Sequence, residues 1–273
     1  MDEPVTLTIV PLVPGVPMPR AASARTRVSV PAGYGVQEQC LPFTAANALG
    51  VLIPSPIRFG LCLPEELPAG CRPFRSPMIV PGPDGRYGDA RVFYVFDDPA
   101  CRFTGNTYEL ADGSTAGSTA VGVREPGVSF FDRPDQRYMI KLHLPYIWRT
   151  PAEVDTLFLP PVNRASRVGI ASGLVETDWY ASPVNLVLGM PAGSVHVPAG
   201  EIVAQAIFVP RALRRPALDI ADGNAPITDA ARRGLAEWGR QLAANRSAYK
   251  VLARSRQGRV DEEPSGSGEP RSG

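Results

Sequence analysis

Residues 183–209, PVNLVLGMPAGSVHVPAGEIVAQAIFV, hold three short apolar runs, Pro183–Leu188, Ser194–Val197 and Ile202–Val209, separated by glycine or proline. Runs of this kind between turn residues read as strands. Their close spacing argues for a sandwich, barrel or clip of mostly antiparallel pairing, and against a repeat in which strands alternate with helices. Upstream, Gly169–Val175 is another such run, reached after a connection through Pro160-Pro161. In YMIKLHLPYIW, residues 138–148, Ile140, Leu142 and Leu144 fall on one face of a strand while Lys141 and His143 share the other, and Pro145 bends or ends it. Arg91–Phe96 alternates as a half-buried strand should, and Asp97-Asp98-Pro99 stops it.

The ends of the chain read differently. Prolines at 4, 11, 14, 17 and 19 leave only Val5–Val10 free to form a strand, at an edge, because proline cannot donate to a ladder. Thr44 is placed to cap a helical turn through Ala48, with Gly50 ending it before a strand at Val51–Ile53. Residues 63–90 read as loop. DGSTAGSTAVG, residues 112–122, is rich in small hydroxyl residues and glycine but lacks the spacing of a phosphate-binding loop, so it reads as surface loop. Thr228 opens a late helix on which Leu235, Trp238, Leu242, Tyr249 and Leu252 share one stripe. That stripe is expected to pack on the β body or on a neighbouring subunit. Residues 259–273, RVDEEPSGSGEPRSG, have almost nothing to bury and are expected to be disordered. The expected organisation is a single mainly β domain, clip-like or sandwich-like, with one C-terminal helix. Its parts are an arm and edge strand over 1–38, a β domain over 39–225, the helix over 226–257 and a tail over 258–273.

Composition excludes several partners. The chain has 273 residues with 28 Lys and Arg against 27 acids, so its formal charge of +1 provides no field to draw in nucleic acid or an anionic membrane. Its 30 prolines and 26 glycines are too many for a helical protein of this length, while 44% apolar residues suffice for a core. No apolar stretch approaches the ~20 residues of a membrane helix. Cys40, Cys62, Cys71 and Cys101 lack zinc-site spacing, and no leader precedes Val5, so reduced thiols in the cytoplasm are expected. A disulfide between Cys62 and Cys71, across the 64–70 loop, is the alternative.

CLPFTAANALG at 40–50, HLPYIWRTP at 143–151 and GLVETDW at 173–179 resemble an uncharacterised bacterial family, a likeness that links the three strings but implies no activity. Residues 173–211, GLVETDWYASPVNLVLGMPAGSVHVPAGEIVAQAIFVPR, are similar to the last strands of trimeric dUTP pyrophosphatases and dCTP deaminases, which implies a β-clip. By that resemblance Glu176 stands where the family's water-activating acid is, Asp178 at its second acid and Trp179 at the aromatic that stacks on the sugar. Gly200, Glu201, Ala204 and Gln205 match the closing turn. The family's Pro-Arg-Ser-Gly phosphate string is missing, NRASRVG from Asn163 to Gly169 being its nearest equivalent, and the glycine-rich C-terminal clamp is absent. The resemblance therefore implies the scaffold more than dUTPase activity, with Asn163 and Gln205 as ligand-binding positions.

Three functions follow from these residues. Glu176 and Asp178, two apart on a strand, would share one face, where mutual repulsion raises one pKa and makes a general base. A small-molecule enzyme would use Glu176 as base, Asp178 to orient it or to hold a divalent ion such as Mg, and Trp179 to stack on a ring. An iron oxygenase would instead bind Fe through His143, His196 and either acid. The third reading is a non-catalytic module that binds a ligand or assembles with copies of itself. Arg149 is a candidate for a ligand carboxylate or phosphate, or for an internal salt bridge. A homo-oligomer is expected, because clips hide exposed strand edges by associating.

Overall fold

The computed structural model describes residues 6–23, 41–73, 91–96, 98, 107–109, 115–117, 127–131, 139–215, 228–245, 248–249 and 251–252. They fall in two compact units, one within residues 1–38 and 42–216 and the other within 39–41 and 217–273. The chain is mainly β, and every strand pairing among the described residues is antiparallel.

The strands of the first unit are β1 (Thr8–Pro11), β2 (Arg20–Ala21), β3 (Val51–Pro54), β4 (Phe59–Cys62), β5 (Arg72–Pro73), β6 (Val92–Val95), β7 (Thr107–Glu109), β8 (Thr115–Gly117) and β9 (Val128–Phe130). They continue with β10 (Met139–His143), β11 (Tyr146–Arg149), β12 (Val154–Leu159), β13 (Gly169–Ala171), β14 (Gly173–Val175), β15 (Asn185–Gly189), β16 (Val195–Val197) and β17 (Ile202–Pro210). A short helix, α1 (Leu41–Asn47), precedes β3. The central sheet runs β14-β12-β17-β3-β2, flanked by four-stranded sheets β13-β15-β10-β9 and β16-β4-β6-β5 and by the pairs β1-β11 and β7-β8.

Pro145 splits the 138–148 run into β10 and β11, which enter different sheets; its carbonyl accepts a hydrogen bond from Leu12 N at 2.9 Å. Ser172 divides the 169–175 run in the same way between β13 and β14. Tyr146 and Trp148 of β11 are fully buried, and the Trp148 ring meets Phe158 edge-on at 5.3 Å. Phe59 of β4 and Phe93 of β6 stack at 5.9 Å, and these rings join Ile140, Leu142, Leu186 and Val203 in one core. Gly50 turns α1 into β3 at φ +67°, and a Cβ there would lie 1.9 Å from the Ala206 carbonyl oxygen, so no other residue fits.

Three expectations are corrected. α1 begins at Leu41, so Thr44 lies inside it rather than capping it; Pro42 is tolerated because first-turn amides have no helical acceptor. The 112–122 segment contains β8, paired with β7, where loop was expected. The 63–90 loop contains β5 among its described residues, held against β6. The 258–273 tail lies outside the described residues, and so does Val5 of the expected first strand.

In the second unit, α2 (Asp229–Ala244) is capped by the Thr228 hydroxyl, which accepts from Ala231 N. Leu235, Leu242, Tyr249 and Leu252 of the predicted stripe are exposed. No helix among the described residues is long and apolar enough to cross a membrane.

Candidate functional site

Glu176 and Asp178 do not lie on a strand. They occupy a turn directly after β14, in which Tyr180 N donates to the Glu176 carbonyl at 2.9 Å. The residue between them decides where they point. Thr177 is fully buried; its hydroxyl lies 2.6 Å from that of Thr156 on β12 and 2.9 Å from that of Thr150, which itself donates to Val154 O at 2.6 Å. Thr177 is pinned inward, and the carboxylate before it and the one after it each meet an arginine from the segment that follows β17.

Arg211 Nη2 donates to Asp178 Oδ1 at 2.6 Å and to Asp155 Oδ1 at 3.0 Å, and its Nη1 reaches Glu153 Oε1 at 3.0 Å. Arg214 donates to Glu176 Oε1 at 2.6 Å and, through Nε, to the other Asp155 oxygen. Asp155 has no exposed side-chain surface and lies between the two guanidiniums; Asp178 is 10% exposed and Glu176 35%. Asp178 Oδ2 also accepts from Glu153 N at 3.1 Å, which fits the left-handed backbone of Glu153 at φ +62°.

The electrostatics run opposite to the expectation of a raised acid. The hydrogen bond from Arg214, and then that from Trp179, holds the Glu176 carboxyl below its usual range; Arg211 does the same for Asp178. Arg211 and Arg214 are held above their usual range by their bonds to Asp178 and Asp155 respectively. Neighbouring arginines outweigh the repulsion between the two acids, because charge-assisted hydrogen bonds favour the ionised carboxylate.

Trp179 follows the pair. Its indole N–H donates to Glu176 Oε2, its ring meets Tyr180 edge-on at 6.2 Å, and 62% of it is exposed. Arg149, at the end of β11 opposite Thr8, is exposed.

Gln205 stands opposite Leu159 at the other end of β12, and Asn163 lies in the loop that follows that strand. Gln205 is fully buried; its Oε1 accepts from Val162 N at 3.0 Å and its Nε2 donates to Leu49 O at 2.6 Å, tying the loop after β12 to the end of α1. Asn163, in the left-handed region at φ +54°, donates to the buried Asn47 Oδ1 at 3.1 Å and to Phe43 O at 3.4 Å.

The two histidines stand in different sheets. His143 on β10 is 2% exposed, with Nε2 2.9 Å from Ser129 Oγ. His196 on β16 stacks on Tyr94, its Nδ1 3.3 Å from the phenol oxygen, and burial pushes Tyr94 up to about 12. No three His, Cys, Asp or Glu side chains among the described residues converge on a point where they could hold a metal ion, so the described donors do not form the iron-binding face. Cys62 and Cys71 are both free thiols.

Asp155, Thr177, Arg211 and Arg214 were not singled out by the sequence. Arg211 and Arg214 share the spacing of one tight turn just after the apolar run 202–209, but nothing local names their partners. Comparison with protein-family models, with curated proteins and with solved structures returned no match.

Proposed function

We propose that this protein is a non-catalytic binding or assembly module of mainly β architecture, in which Glu176 and Asp178 belong to a structural clamp and Trp179 offers the contact surface. The observation that carries this reading is the pairing of each candidate acid with its own arginine. A general base works best with a pKa near the operating pH, and carboxylates held below their ordinary range are weak proton acceptors. The indole N–H bond to Glu176 fixes the Trp179 ring while its face stays open, which lowers the entropy cost of stacking a planar ligand group or a partner side chain on it.

Native mass spectrometry of the full chain is the test. A retained small molecule or a defined oligomer is expected, and Trp179→Ala is expected to lose it. Hydrolysis of a nucleoside triphosphate that Glu176→Gln abolishes at unchanged Tm would overturn the proposal in favour of the carboxylate enzyme.

A further inference from the structure

Arg164 follows Asn163 in the loop after β12, and its amide donates to Pro161 O at 3.3 Å. Its side chain is half-buried, and both Nε and Nη2 are shielded from solvent without a hydrogen-bond partner among the described residues. These two nitrogens form one edge of the guanidinium, the pair of parallel N–H groups that grips two oxygens at once. Other arginines in this protein show what such donors normally find: Arg211 and Arg214 spend theirs on four carboxylates.

The surroundings of Arg164 sharpen the contrast. Burial, and then the like charge of Arg20 on β2, presses its pKa down. A desolvated cation under the repulsion of a second cation calls for an anion. The adjacent amide donors are already committed, Asn163 Nδ2 to Asn47 and Phe43, Gln205 Nε2 to Leu49. A phosphate brings three strong acceptor oxygens, one more than the two N–H groups of this edge can meet. A carboxylate brings two, which match the two unpaired N–H groups of this edge.

We propose that the Nε and Nη2 edge of Arg164 binds a carboxylate, with Arg20 supplying the second positive charge. The site lies at the opposite end of β12 from Trp179, and the inference does not rest on the function proposed above.

Acetate titrated into the full-length chain, followed on the arginine Nε–Hε NMR signals, tests it. One signal is expected to shift saturably, the response to vanish in Arg164→Gln and to weaken several-fold in Arg20→Gln, and Arg240→Gln on α2 to leave it in place. Arg164→Lys, which keeps the charge but not the fork, is expected to lose it as well. No saturable response in the unsubstituted chain, an unchanged response in Arg164→Gln, or inorganic phosphate binding more tightly than acetate at the same signal would each overturn the carboxylate assignment.

Discussion

The ribbon formed by β12 and β17 carries a polar cluster at each end, roughly 17 Å apart at the rise of an antiparallel strand. At the Val154–Pro210 end, two arginines and four carboxylates pair so thoroughly that the two candidate acids are both engaged. At the Leu159–Gln205 end, Gln205 pairs with backbone at Val162 and Leu49 and Asn163 pairs with Asn47 and the Phe43 carbonyl, while the Nε and Nη2 edge of Arg164, next in the chain, has no hydrogen-bond partner among the described residues. Charge density alone is thus a poor guide to a binding site. A cluster that satisfies itself has little left to offer a ligand, whereas donors removed from water without an acceptor have a free-energy reason to take one.

Asp155→Ala is the strongest way to break this comparison. It strips both arginines of the buried carboxylate they share, and a loss of about 3 kcal/mol is expected in denaturant unfolding, since removing one member of a buried pair leaves its partners uncompensated. A loss no larger than that of a surface substitution would mean that the cluster is not a clamp. At the other end, Gln205→Leu leaves Val162 N–H and Leu49 C=O without their buried partner and is expected to cost about 2 kcal/mol, read as a fall in Tm. That the smaller loss comes from a neutral group would sharpen the distinction between a charged clamp and an amide tie.

The smallest effect concerns acid. Glu176 and Asp178 have folded pKa values depressed below their unfolded ones, so the stability they contribute is present above the ordinary carboxylate range, at about pH 4, and is lost as pH falls through the lower folded values. Tm measured between about pH 5 and pH 2 should fall less steeply in Asp178→Asn than in the unsubstituted chain. Equal slopes would show that the arginine bonds do not discriminate between the ionised and the neutral acid.

Much of the β architecture was legible because its signals are local. Glycine and proline interrupt apolar runs wherever the chain turns, and the predicted runs at 183–188, 194–197 and 202–209 became β15, β16 and β17 within a residue or two at each end. β12 was not legible: Asp155 and Thr156 sit side by side in it, both fully buried, and break the alternation that marks a half-buried strand. β4 was also missed, since Phe59, Gly60, Leu61 and Cys62 are buried on both faces and Gly60 reads as a turn. The glycine is there for room; a Cβ at that position would lie 2.3 Å from the Tyr94 hydroxyl.

For the candidate sites the division is sharper. The sequence by itself placed Glu176, Asp178 and Trp179 together, because neighbours in the chain remain neighbours in any fold. It also set the mainly β class, through short-range turn chemistry. Whether those acids would be raised or lowered, and whether Gln205 would reach the loop that carries Asn163, depended on strand register. Asp155 and Arg211 are 56 residues apart, and only the antiparallel pairing of β12 with β17 brings their charges within 3.0 Å. Coulombic and hydrogen-bond energies depend on that distance and not on separation along the chain, so the tertiary structure decided which charges are spent and which remain open.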